Sequence, residues 1–147
     1  MTEEELLPIV TRFRRAFDES DLSEKSIGRE ANIRVGGFPD SACAEACTVL
    51  GCYLTNEYKV SPLVERIAKI EDGEYWGSHN WLEHNDIKID ITADQFDYIK
   101  EPVIVTKNSV FHSQNLIQID TMTDTFDLEN EEEWIVNIYN EVTKHIT

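Results

Sequence analysis

Apolar side chains recur along EEELLPIVTRFRRAFDES, residues 3–20, at Leu6, Ile9, Val10, Phe13 and Phe17, the three-and-four spacing of one helix face. Acids crowd the start of this stretch, where a helix dipole favours them, so it predicts an amphipathic helix. The stretch NIRVGGFPDS reads as loop, punctuated by Gly36, Gly37 and Pro39. A second helix is expected from Ser41 or Ala42, with Asp40 and Ser41 as available N-caps. It runs through Ala44, Ala46, Val49, Leu50, Tyr53 and Leu54 and fades at Thr55–Asn56. The period then changes. LVERIAKIE reads as strand in preference to a short helix. SHNWLE and DIKIDIT read as two strands joined at His84–Asn85, because Ile87, Ile89 and Ile91 alternate with Lys88 and Asp90. EPVIVT supplies a further strand, and SVFHSQNLIQID one or two more. Trp134, Ile135, Ile138, Tyr139 and Val142 form one face of a closing helix, with Asn130 and Glu133 at capping-box spacing. Helices, then strands, then a helix predict an α+β fold with an antiparallel sheet, in a single domain over residues 1–147.

Composition narrows the class. The chain is 41% hydrophobic and 29% charged, values of a globular protein rather than a disordered one. It carries 29 acidic against 13 basic side chains, a net charge of −16. Most of the excess lies beyond residue 70, where 17 acids face 4 bases. Such a surface repels phosphate backbones and anionic lipid, so neither nucleic acid nor membrane is an expected partner. It suits a basic protein partner, or serves solubility alone. The beginning, MTEEELLPIV, has no basic region followed by an apolar run, and no stretch approaches the ~18–20 apolar residues of a membrane span. The expected location is the cytoplasm, or outside the cell by a route that uses no cleaved signal.

All three cysteines fall within FPDSACAEACTVLGCYL. An odd, crowded set is not a disulfide framework, and free thiols are expected. A thiol acts as nucleophile in its thiolate form, which a helix N-terminus favours. Cys43 falls in the first turn of the second helix. Cys47 is one turn deeper and Cys52 about half a rotation away, at ~100° per residue; both read as small buried hydrophobes. Spacing of Cys-x3-Cys-x4-Cys inside one helix does not match a zinc knuckle, so no metal and no other cofactor is expected.

A nucleophilic cysteine needs a base, and the base an orienting partner. His145 suits the C-terminal end of the last helix, His84 falls in the hairpin turn, and His112 is placed on a later strand with no role assigned. His79 differs. With His84–Asn85 as the turn, Leu82 faces Ile87 and His79 faces Asp90, with Cβ atoms ~4.5–5.5 Å apart on one face of the ribbon. Cys43, His79 and Asp90 are thus the candidate catalytic residues. A cross-strand charge contact is the plainer interpretation of the His79–Asp90 pair.

FPDSACAEACTVLGCYL, HNWLEHNDIKIDITADQF and PVIVT together resemble a papain-like-fold family of bacterial proteins that includes toxin and effector domains, among them protein glutamine deamidases. The resemblance covers about residues 36–106. It implies a papain-like fold, with the nucleophile helix packed on an antiparallel sheet. It implies a cysteine-dependent amide hydrolase acting on a protein or peptide, with Cys43 as nucleophile, His79 as general base and acid, and Asp90 as orienter. Phe38, Pro39, Trp81, Thr92, Asp94, Gln95 and Phe96 also match, without assigned roles. The chain departs from the pattern at Ala44, where glycine is usual, and at Cys47, where serine is common. The glutamine that papain-like enzymes often place shortly before the cysteine is absent, which leaves the Cys43 backbone N–H as the expected oxyanion donor. Peptidase, deamidase and transglutaminase share this triad, and the sequence does not choose among them. The alternative is a non-enzymatic acidic domain that binds a basic protein.

Overall fold

The computed structural model describes residues 1–70 and 77–146. Helix α1 (Glu3–Glu19) starts in a reciprocal capping box. The Thr2 hydroxyl accepts from the Glu5 N–H, and the Glu5 carboxylate accepts from the Thr2 N–H. Its buried stripe is the expected Leu6, Ile9, Val10, Phe13 and Phe17, joined by Ala16 and Arg14. Two short helices follow, α2 (Glu24–Ile27) and α3 (Arg29–Val35). The latter overlaps a stretch expected as loop. Burial of Ala31 and Val35 supplies the tertiary packing that so short a helix needs.

Helix α4 (Cys43–Tyr58) begins at Cys43, with Ala42 as its N-cap and no side chain capping it. Neither expected cap is used. Ser41 takes a left-handed φ of 58°, a region a residue with a Cβ enters reluctantly. It therefore forms the turn ahead of the helix rather than its cap. That turn is anchored from α1: Phe38 stacks on Phe17 with ring centroids 4.0 Å apart, and the Arg14 guanidinium lies 5.0 Å over the Phe38 ring.

Among the described residues five antiparallel strands follow: β1 (Val64–Ile70), β2 (Ser78–His84), β3 (Ile87–Asp90), β4 (Ile104–Thr106) and β5 (Leu116–Thr123), in the spatial order β4-β3-β2-β1-β5. The fold is α+β with an antiparallel sheet, as the pattern predicts. The final residue of LVERIAKIE, Glu71, lies outside the described residues. The β2–β3 hairpin turns at Asn85–Asp86 rather than His84–Asn85. Both turn residues have positive φ, 48° and 68°, the conformation a tight two-residue hairpin asks for and one that Asn and Asp tolerate. Leu82 pairs with Ile89 and His84 with Ile87. The register differs from expectation by two residues, so every side chain keeps its expected face.

Between β4 and β5 a helix, α5 (Val110–Gln114), stands where strand was expected. The Ser109 side chain accepts from the His112 N–H and starts the helix there. Helix α6 (Glu133–Thr143) closes the chain. Asn130 belongs to a preceding 3-10 turn, where its side chain bonds Asp127, so it does not form the expected box with Glu133.

Both faces of the sheet are covered. Leu82, Ile87, Ile89, Ile91 and Val105 join Phe13, Leu50, Leu54, Ile135 and Ile138 in one large core with the helices. A smaller cluster on the other face holds Ala68, Ile70, Trp81, Ala93, Phe96, Phe111 and Leu116. At the far edge, β5 leaves Ile117, Ile119 and Met122 exposed, and no described strand pairs with its outer side. Among the described residues no helix is long and apolar enough to cross a membrane.

Candidate functional site

The three cysteines are free, and their surroundings separate them. Cys47 and Cys52 are buried. Burial, followed by the charges of Glu65 and Asp90, pushes the Cys47 thiol well above its ordinary value. Burial, followed by Glu131 and Asp127, pushes Cys52 up to about 12. Cys43 alone is half-exposed, at the first position of α4. Its Sγ lies 3.5 Å from Asn80 Oδ1.

Asn80 is held in turn. Its Nδ2 donates to Glu65 Oε2 at 2.8 Å, which points the amide oxygen at Cys43. Glu65 is 4% exposed. Burial raises its carboxyl above the usual range, opposed by the Asn80 amide. Neither residue was singled out from the sequence; the only signal was Glu65 among the apolar positions of β1.

The neighbouring residue on β2, His79, is fully buried and points to the other face. Its Nε2 lies 2.6 Å from Asp90 Oδ2. In the observed register the two are diagonal rather than directly opposed, which is within reach on one face of a ribbon. The face that carries them is not a solvated one. Trp81 stacks near His79 at 6.1 Å between ring centroids, and Phe96 and Phe111 meet it edge-on at 5.3 and 5.5 Å. Burial alone would push His79 down. The Asp90 carboxylate outweighs it and the Cys43 sulfur adds to the effect, so His79 is pushed up to about 9. Burial alone would push Asp90 up, but His79 and His112 hold its carboxyl far below the usual carboxylate range.

Because Asp90 occupies Nε2, the free nitrogen of His79 is Nδ1. Gln95 reaches it: its Nε2 is 3.4 Å from His79 Nδ1 and donates to the Thr92 carbonyl at 3.0 Å. Its Oε1 accepts from the Ser41 N–H at 3.4 Å, on the turn that leads into Cys43. Gln95 therefore touches both the turn that leads into Cys43 and the ring of His79. The segment that carries it is fixed by Arg14. This 7%-exposed guanidinium donates to Asp94 through two nitrogens (2.8 and 2.9 Å), to the Ile91 and Pro102 carbonyls (2.7 and 2.9 Å), and to Asp18. One α1 side chain thus holds both the Phe38 turn and the loop after Asp90.

Two histidines differ from expectation. His84 is buried rather than in a solvated turn, with Nδ1 donating to the Pro62 carbonyl at 2.6 Å. His112 is on α5 rather than a strand, fully buried, with Nε2 2.8 Å from Asp90 Oδ2. His79, Asp90 and His112 place their donor atoms within 4.8 Å of one another, a set that also occurs around transition metals. Yet 2.6 and 2.8 Å are hydrogen-bond lengths. Two atoms each ~2.1 Å from one metal would stand about 3 Å apart or more.

The chain matches no family model, no curated protein and no solved structure.

Proposed function

We propose that this chain is a cysteine-dependent amide hydrolase of papain-like type, with Cys43 as nucleophile, His79 as general base and acid, and Asp90 as the residue that orients His79. The observation that carries the reading is the buried 2.6 Å contact between His79 Nε2 and Asp90 Oδ2, with the half-exposed Cys43 at a helix N-terminus beside the same imidazole. A helix whose first residue is the cysteine, packed on an antiparallel sheet that supplies histidine and acid, is consistent with a papain-like arrangement.

In this mechanism His79 Nδ1 takes the Cys43 proton. The sulfur attacks the amide carbonyl, and the oxyanion that forms is met by N–H groups at the uncapped start of α4, where the helix dipole favours negative charge. Gln95 Nε2, 3.4 Å from His79 Nδ1, brings a side-chain N–H donor beside the imidazole. The oxyanion collapses, the C–N bond breaks, and His79 delivers its proton to the departing nitrogen. Water then attacks the thioester, His79 accepting its proton, and the carboxylic acid leaves as the thiol re-forms. A backbone amide makes the enzyme a peptidase, and a glutamine side chain makes it a deamidase.

A non-enzymatic domain that binds a basic protein is the competing reading, supported by the net charge of −16. Limiting iodoacetamide at neutral pH with peptide mapping separates the two. Labelling confined to Cys43 and lost in His79→Ala supports the hydrolase. Equal slow labelling of all three thiols removes it and turns attention to the acidic surface.

A further inference from the structure

Asp90 receives three donors. The Thr92 N–H reaches Oδ1 at 2.9 Å, while His79 Nε2 and His112 Nε2 both reach Oδ2, at 2.6 and 2.8 Å. An ionised carboxylate only accepts, so each of these nitrogens carries a proton toward it. The other nitrogen of His112, Nδ1, lies 2.5 Å from the Ser109 hydroxyl, which also accepts the His112 backbone N–H at 3.3 Å. Among the described residues that hydroxyl has no acceptor except Nδ1, so its proton points there. The chain Ser109 O–H to His112 Nδ1, His112 Nε2–H to Asp90, and His79 Nε2–H to Asp90 is directed at every link. It ends at His79, whose second proton, on Nδ1, faces the Cys43 side. Charge agrees with this count. One imidazolium against one carboxylate leaves a buried site neutral, and a second imidazolium would leave an uncompensated charge.

We propose that His112, locked by Ser109 in its Nε2–H tautomer, is a positioning residue for the Asp90–His79 pair. Resting on the hydrolase reading above, the inference assigns α5 its purpose. This five-residue helix presents at its third position a ring whose one edge bonds its own N-cap and whose other edge holds the carboxylate. Three donors from three directions stop Asp90 from rotating. A carboxylate fixed in this way accepts from only one nitrogen of His79. His112 is 1% exposed, with Trp81 and Phe111 at 4.9 and 5.0 Å between ring centroids, which keeps water from the relay.

The test uses the intact chain. Nitrogen-15 NMR of the imidazoles in the wild type reads the tautomers directly, and iodoacetamide labelling of Cys43 reads their consequence. The expected results are an Nε2–H tautomer for His112 at neutral pH, eroded in Ser109→Ala and kept in Ser109→Thr. Cys43 labelling should fall about tenfold or more in His112→Phe, as for other residues that orient a functional ligand. It should be largely restored in His112→Gln, whose amide can still donate to Asp90. An Nδ1–H or doubly protonated His112 overturns the proposal without any variant. So does a folded His112→Phe protein that labels at the wild-type rate. If His79→Ala also labels at the wild-type rate, the hydrolase reading fails, while the tautomer measurement still decides the Ser109–His112–Asp90 link.

Discussion

On the helical face of the sheet, Leu82, Ile87, Ile89 and Val105 meet Phe13, Leu50, Leu54 and Ile138, aliphatic and aromatic groups with no charge among them. On the other face, Trp81, Phe96 and Phe111 surround two histidines and an aspartate. Both faces exclude water, for different ends. Behind the helices, dryness is itself the stabilising term, about 25 cal/mol for each Å² of apolar surface removed from water. Behind β2 and β3, dryness strengthens the hydrogen bonds to Asp90 and makes any missing donor expensive. Cys43 belongs to the first face by sequence, as part of α4, yet sits at the helix end where a residue of the second face reaches it. Cys47 and Cys52, deeper in the same helix, are buried, and burial together with nearby acids pushes both thiols up.

The comparison breaks most sharply at the chemistry. Cys43→Ala should abolish turnover of an amide substrate while leaving the thermal midpoint within a few degrees, since the residue is half-exposed at a helix end. Unfolding of that variant would return Cys43 to the core. Asp90→Asn should lower turnover by about 10⁴, by analogy with triads whose histidine is left in the wrong tautomer. Full activity would reduce Asp90 to a structural partner.

The next effect in size belongs to the tie between the regions. Arg14→Ala leaves Asp94 and two carbonyls without their donor and should cost about 3 kcal/mol in urea unfolding, the range for breaking a buried pair by one partner. A midpoint unchanged by the substitution would mean that the Asp94 loop is held elsewhere. On the helical side, a Cβ at Gly51 would run into the Phe126 ring. Gly51→Ala should therefore destabilise by about 1–2 kcal/mol despite the better helix propensity of alanine, with Cys43 labelling unaltered. A gain in stability would show that Phe126 moves aside freely.

The gentlest separation is by pH. His79 is raised, so its contribution to stability is complete below the ordinary histidine value of ~6.5 and is lost as pH rises through about 9. Asp90 is lowered, so its contribution is present above ~3.9 and is lost as pH falls toward its depressed value. Denaturant midpoints should thus decline between pH 7 and 9.5, and the decline should flatten in Asp90→Asn. Equal slopes in the two proteins would uncouple His79 from Asp90.

Much of this arrangement was legible from local pattern. The stripe of α1 and the isoleucine alternation of β3 each follow from one period, and the face shared by His79 and Asp90 survives a one-residue error in the turn, because it shifts the register by two and parity is kept. The misplaced turn had a signal in Asn85–Asp86, the pair that tolerates left-handed backbone. His112 was not legible as a helix residue. SVFHSQ has strand-like composition, and the preference is reversed by one hydroxyl, Ser109, bonding the chain three residues on. Arg14 could have been noticed. It falls between Val10 and Phe17 on the apolar stripe, a position a solvated arginine would avoid. Its four hydrogen-bond partners could not, because they lie about eighty residues away or across a helical turn and meet only in the fold. Glu65, Asn80 and Gln95 belong to the same class, polar side chains whose partners are set by tertiary geometry.

The outer strand β5 has one more consequence, for how copies of the chain behave toward each other. Its edge offers open backbone groups beside Ile117, Ile119 and Met122, a template for adding a strand from a neighbour. What opposes such pairing at a distance is the net charge of −16, which makes any two copies repel. That repulsion reaches ~30 Å at 0.01 M salt and only ~3 Å at 1 M, whereas the apolar contact does not weaken with salt. The protein's colloidal stability is thus electrostatic rather than steric, and concentrated salt removes the repulsion that keeps the β5 edge from a neighbour's strand.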